Sequence, residues 1–259
     1  KDAILLAPTA GGKTEAATFP LLTRMSTEDW RGTSVLYVCP LRALLNNLQP
    51  RLSSYAQWLG RTAEVRHGDT TAGQRRQLQA QPPDILLTTP ESLEAMLVST
   101  VTSPQLQFEN LRAVVVDEVH AFAGDDRGWH LLAVLERLTA LTGRPLQRIG
   151  LSATVGNAGQ LLSWLQGSNR AAAVPATVVA PDAGVALTPD IQLDYVATVD
   201  NAATVIDALH HGEKRLVFAD SRRTVETLAE GLRERRTETF VSHSSLSVDE
   251  RRRAEQAFA

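Results

Sequence analysis

The sequence predicts an α/β fold, a mostly parallel sheet wrapped by helices, and three observations predict it. Short apolar runs alternate with amphipathic segments of helical length along the 259 residues, the pattern of repeated βα units. The first run, Ala3-Ile4-Leu5-Leu6, feeds directly into Ala7 to Thr14, which read APTAGGKT, a glycine-rich turn leading into a helix. A later run, Ala113 to Val116, is apolar at every position and ends in Asp117-Glu118-Val119-His120. Such a run suits a parallel strand covered on both faces, and its C-terminal end is where doubly wound sheets place ligands.

Taken in order, the predicted strands are Ala3 to Leu6, Ser34 to Cys39, Ala63 to Arg66, Asp84 to Thr88, Ala113 to Val116 and Arg148 to Ser152. Helices are expected over Lys13 to Met25, Leu41 to Leu59, Pro90 to Val98, Gly128 to Thr142 and Ala158 to Leu165. From Gly167 to Pro189 the chain thins into alanine, proline and glycine, linker chemistry around one more strand. A second βα pattern follows, with strands at Ile191 to Thr198, Arg215 to Phe218 and Thr237 to Val241. Its helices run to His210, over Ser221 to Arg235 and from Val248. The reading divides the chain into a first lobe at 1–180, a linker at 181–190 and the N-terminal part of a second lobe at 191–259.

Composition sets the class. At 43% apolar residues the chain is globular and long enough for one large or two ordinary domains. A formal charge of −3 excludes wholesale coating of nucleic acid but not a local basic groove. The single cysteine, Cys39, excludes an internal disulfide and a cysteine metal cluster; it reads as a core thiol in a reducing cytoplasm. No apolar stretch approaches membrane-spanning length and the first residues lack a signal-peptide pattern, so no membrane partner is expected. Beginning with Lys1 rather than methionine, almost at a strand, the chain reads as a piece of a longer protein.

The first motif names a ligand. The turn at Thr9, Ala10, Gly11 and Gly12 aims backbone N–H groups at one spot, where the helix dipole favours a triphosphate. Lys13 is expected on the terminal phosphates and the Thr14 hydroxyl on the magnesium that travels with the nucleotide. Ala7 stands where the strict motif has glycine, and a capping loop without a ligand is the bland alternative. Asp117 is the second expected magnesium ligand, direct or through water, and Glu118 the group that orients or deprotonates the attacking water. Two solvated acids capping the next helix are the rival there. Lysine and threonine in the loop exclude the dinucleotide-binding type of glycine turn.

Five segments in order, APTAGGKT, Pro40-Leu41-Arg42-Ala43-Leu44, Thr88-Thr89-Pro90-Glu91-Ser92-Leu93, DEVH from Asp117 and Ser152-Ala153-Thr154, resemble motifs I, Ia, Ib, II and III of superfamily two helicases. Longer stretches are similar to the large helicase-related (Lhr-type) group: HGDTTAGQRRQLQAQPPDILLTTPESL from His67, DEVHAFAGDDRGWHLLAVLERL from Asp117 and QRIGLSATVGNAGQLLSWL from Gln147. LVFADSRRTVETLAEGL from Leu216 resembles the motif IV region. His243 to Ser247 resembles an HHGSLS segment, with Ser242 and Ser244 in place of histidine and glycine.

The resemblance implies two RecA-like lobes of the P-loop NTPase kind, the second one truncated, with ATP and Mg2+ as cofactors and a single nucleic-acid strand as partner. It implies strand contacts from Arg42, Thr89 and Pro90, and coupling of the nucleotide site to the strand through Ser152, Ala153 and Thr154. Ser221 and Arg222 are further expected contacts, and His120 is placed beside the ATP site with a core histidine as its rival. Thr89 and Pro90 also suit plain capping of the helix they begin, and the two roles can coexist. His67 follows a strand and reads equally as a turn residue or as a lining of the strand channel. Trp30, Trp58, Trp129 and Trp164 lie in helical apolar spacing and are expected in the core.

The expected function is an ATP-dependent helicase or translocase on single-stranded DNA, with 3′-to-5′ polarity implied by the resemblance. An RNA helicase and a nucleotide-gated scaffold without unwinding are the alternatives. The family's motifs V and VI, the latter carrying an arginine finger, are expected beyond Ala259, so this chain alone is expected to be weakly active or inactive as an ATPase.

Overall fold

The structure is a computed structural model that describes residues 1–8, 10–101, 103–153, 155–180, 190–243 and 245–258. Thr9, Thr154, Ser244 and the expected linker over 181–189 therefore lie outside the described residues. Two compact units form, Lys1–Val185 and Ala186–Ala259.

In the first unit β1 (Asp2–Leu6) leads through the glycine turn into α1 (Lys13–Thr27), then β2 (Val35–Val38) and α2 (Arg42–Gln57). Next come β3 (Ala63–Arg66), α3 (Ala72–Ala80), β4 (Ile85–Thr88), α4 (Pro90–Leu97) and α5 (Pro104–Phe108). The unit continues with β5 (Ala113–Val116), a 3-10 turn at Val119–Ala121, α6 (Asp126–Thr142), β6 (Gln147–Ser152), α7 (Ala158–Gln166), α8 (Ser168–Ala171) and β7 (Ala176–Val179). The strands form one seven-stranded sheet in the order β3-β4-β2-β5-β6-β1-β7, and every pair is parallel.

Because alternate strand residues face opposite sides, the sheet divides the core in two. Tyr37, Val115, Leu87 and Leu151 pack under Leu21, Met25, Leu45 and Leu52 of α1 and α2. Leu36, Val38, Val114, Val116 and Ile4 pack under Leu93 of α4, Leu131 and Leu135 of α6 and Leu165 of α7. Strands β2, β4 and β5 are buried at every position, which is why they read as unbroken apolar runs rather than alternations. All turns from strand end to helix therefore gather at the C-terminal edge, where the motifs lie.

Three helices of the first unit were not expected, α3, α5 and the four-residue α8. The α3 segment AGQRRQLQA buries no residue, so it shows no core-facing stripe. What starts it is a capping box, with Thr71 accepting from the Gln74 N–H and Gln74 reaching back to the Thr71 N–H. The five-residue α5 is too short to show a period. Trp30 is buried as expected, but Trp58 and Trp129 are 68% and 66% exposed; Trp58 instead stacks on Tyr55 at the surface.

The second unit holds α9 (Val199–Ala208), α10 (Arg222–Glu234) and α11 (Val248–Phe258). Helices α9 and α10 meet through Ala203, Leu228 and Leu232. The strands expected at Ile191 to Thr198, Arg215 to Phe218 and Thr237 to Val241 do not form: no described residue of this unit is in a strand. A strand exists only through a ladder partner, and here Leu193, Tyr195 and Phe218 stand almost fully exposed, with no apolar layer to pack on.

Candidate nucleotide site and nucleic-acid face

The glycine turn is built by close approach. A Cβ on Gly11 would stand 2.9 Å from both the Ala7 Cβ and the Pro8 carbonyl oxygen, so only glycine lets the loop fold over itself there. Gly12 is the N-cap of α1 with φ at +74° and offers no side chain to cap the helix. The first N–H groups of α1 thus meet no N-cap side chain at the place where an anion is best held. The Lys13 ammonium lies inside the loop, donating to the Ala7 carbonyl at 2.6 Å and the Pro8 carbonyl at 2.9 Å. Ala10, with φ at +62°, completes the turn.

The acidic site faces this loop from β5. The phenol of Tyr37, on the neighbouring strand β2, donates to Asp117 Oδ2 at 2.9 Å, and the Glu118 N–H donates to Asp117 Oδ1 at 2.9 Å. Glu118 sits in the left-handed region with φ at +48°, an uncommon backbone state for a non-glycine residue that turns its carboxylate off the line of the strand. His120 Nδ1 meets the Ser152 hydroxyl at 3.0 Å, and its Nε2 lies 3.4 Å from Glu118 Oε2. His120 is therefore half-exposed at the site rather than buried in the core. Beside it Cys39 is a buried thiol, with its pKa pushed up to about 12 by burial and by the charges of Asp117 and Glu118.

Along the same edge, a cavity of about 480 Å³ is lined by Arg42, Arg66, His67, Arg75, Thr89 and Arg127 among others. Arg42 pairs with Asp69 at 2.7 Å. Burial, with Arg75 beside it, lowers the pKa of Arg66, whose Nη1 is buried and has no hydrogen-bond partner among the described residues. His67 is buried, takes the Asp69 N–H on Nδ1 and meets Asn46 through Nε2. Burial holds it below the usual histidine pKa, with Asp69 opposing and Arg42 adding to the shift. His67 is thus both turn residue and cavity lining.

Thr89 caps α4, its hydroxyl accepting from the Ser92 N–H at 3.4 Å, and lines the cavity as well. Pro90 is the buried first residue of α4 and is not among the lining residues. Arg66 and Arg75 were missed by sequence reading; the signal was the arginine ending the β3 run and the basic pair in α3. Ala153 follows β6 at a bend. In the second unit Ser221 caps α10 by accepting from the Thr224 N–H, and Arg222 donates to Ser245.

The residues present fit a magnesium-bound triphosphate. Among the described residues no group of three or more histidine, cysteine, aspartate or glutamate side chains could cage a metal. One carboxylate and one hydroxyl beside a phosphate loop is the donor set that magnesium accepts when the phosphates and water complete its shell.

A parallel sheet with a phosphate loop after one strand and paired carboxylates after another defines a P-loop nucleotide-binding lobe of the RecA-like class. The chain belongs to the DEAD/DEAH box helicase family, whose description matches residues 1–161. It is 37% identical over 257 residues to the Lhr helicase/probable uracil glycosylase of Mycolicibacterium smegmatis, covering 90% of this chain and 16% of that protein. It is 32% identical over 291 residues to the ATP-dependent helicase Lhr-Core of Methanothermobacter thermautotrophicus, covering 99% and 33%. The structure of Mycobacterium smegmatis helicase Lhr bound to ssDNA and AMP-PNP matches with a TM-score of 0.79 and 35% identity, over 98% of this chain and 36% of that one. The chain thus spans one sixth to about one third of the relatives it matches. No described helix is long and apolar enough to cross a membrane.

Proposed function

We propose that the chain is the ATP-binding part of a helicase or translocase that moves along single-stranded DNA, with the second unit contributing to a second lobe. The observation that carries this reading is that the phosphate loop, the Asp117-Glu118 pair and the arginine-lined cavity share one edge of one sheet. Lys13 exchanges the Ala7 and Pro8 carbonyls for phosphate oxygens, and the free N–H groups of α1 hold the phosphates as dipoles. Thr14 and Asp117 are the groups that hold magnesium, which when bound neutralises the charge developing on the transferred phosphoryl group. Glu118 positions the attacking water and accepts its proton.

Arg42 and Thr89 contact the strand backbone, together with Arg66, whose buried unpaired Nη1 favours an anionic ligand in the cavity. Pro90 sets the start of α4, while Ser221 and Arg222 are contacts from the second unit. The hydrogen bond between His120 and Ser152 joins the carboxylate segment to the end of β6, and through Ser152, Ala153 and Thr154 the state of the nucleotide biases the strand site. The similarity to a relative whose structure holds ssDNA and AMP-PNP supports this assignment.

The test is ATP turnover by the protein carrying this chain, with and without single-stranded DNA or RNA, in wild type, Lys13→Ala and Glu118→Gln. DNA stimulation lost in both variants supports the reading. Stimulation by RNA alone moves the substrate to RNA, and turnover indifferent to both polymers sinks the motor. Tailed duplexes test the proposed 3′-to-5′ polarity, which unwinding only from the opposite tail refutes.

A further inference from the structure

We propose that Tyr37 is a positioning residue that locks the Asp117 carboxylate into one geometry before magnesium and nucleotide arrive. This rests on the ATP reading above and names a part of that site carried by neither the phosphate loop nor the DEVH segment. Tyr37 stands on β2, with β4 and β5 on either side of that strand, in register with Leu87 and Val115. Its ring is 1% exposed within the core under α1 and α2. Phenylalanine would fill that space equally well. A buried hydroxyl is costly unless bonded, so its partners are what distinguish tyrosine here.

Among them is an expected metal-side group, since the phenol donates to Asp117 Oδ2 at 2.9 Å. With the Glu118 N–H on Asp117 Oδ1, both carboxylate oxygens are held by donors and the group cannot swing. Outer partners of this kind set the orientation of the groups that touch the metal.

The experiment titrates magnesium against binding of a fluorescent ATP analogue to the chain, with a parallel series in EDTA. For Tyr37→Phe the magnesium needed for half-maximal binding is expected to rise about 10- to 100-fold, with affinity in EDTA unchanged. Val115→Ala, which loosens the same core without touching the Asp117 bonds, is expected to leave the magnesium curve in place. An unmoved curve in Tyr37→Phe, equal losses with and without magnesium, or an equal shift in Val115→Ala would each overturn the proposal. A wild-type chain whose nucleotide binding ignores magnesium fails earlier, at the ATP reading itself, and the positioning role falls with it.

Discussion

The two edges of the sheet carry similar polar residues and treat them in opposite ways. At the N-terminal edge, Asp2, Arg148 and Asn169 are each at most 1% exposed. Asp2 takes the Arg148 backbone N–H, the Gln166 amide and the Asn169 amide. The Arg148 guanidinium is held by Glu136, Thr139 and the Leu165 carbonyl. At the C-terminal edge, Lys13, Glu118 and His120 remain partly exposed, and α1 begins without a side-chain cap. The first edge joins β1, β6, α6 and α7, and although Arg148 Nε and Asn169 Oδ1 find no hydrogen-bond partner among the described residues, both residues are closed off from solvent. The second keeps donors and carboxylates available because strand ends of a parallel sheet place helix dipoles and turns there. A polar cluster alone therefore says little; whether its groups can be reached from solvent separates a structural network from a site.

The largest effect is expected where the network is shut. Arg148→Ala leaves Glu136 without its cation and opens a void among buried partners, and should lower unfolding free energy by about 3–5 kcal/mol, read by urea denaturation. A loss below about 1 kcal/mol would mean that edge is less interlocked than its contacts imply. At the open edge, Lys13→Ala and Glu118→Gln should lower ATP turnover about 10²- to 10³-fold, measured with phosphate release, while leaving the thermal midpoint in place. A large stability loss there would erase the contrast.

A finer comparison uses salt. Arg42→Ala and Arg66→Ala should each weaken single-strand binding and reduce the slope of log affinity against log salt by about 0.7, one phosphate contact each. An unchanged slope removes that arginine from the strand path.

The smallest effect is a pH dependence at the shut edge. Burial raises the Glu136 pKa, but hydrogen bonds from Ser168 and the charge of Arg148 outweigh it, so its carboxyl lies below the usual range. A depressed pKa contributes stability above the unfolded value and loses it as pH falls through the folded one. Acid melts of wild type should therefore lose a stabilisation that Glu136→Gln lacks throughout, and parallel curves would assign the acid sensitivity elsewhere.

Most of the first unit was legible because its central strands are buried on both faces. Val35 to Val38 and Ala113 to Val116 leave no alternative to a central parallel strand, and the glycine turn marks where the chain reverses. The helix at Ala72–Ala80 was hidden because it rests on a capping box rather than a buried stripe. The strands expected in the second unit failed for the converse reason: Leu193 and Phe218 carry the right residue types, but the ladder and apolar cover that make a strand are not local properties. At the site, Lys13, Thr14, Asp117 and Glu118 were readable from motif spacing. Arg66 and Tyr37 were not, because one looks like a strand end and the other like a core aromatic.

By itself the sequence placed a glycine turn and paired carboxylates at the C-terminal edge, since both are written in consecutive residues directly after apolar strand runs. Only the tertiary structure decided which distant groups hold those motifs in register, the Tyr37 phenol on Asp117 above and the Asp2 and Arg148 clusters below. Hydrogen bonds between strands far apart in the chain depend on sheet order and on exclusion of water, and neither is carried by any single segment.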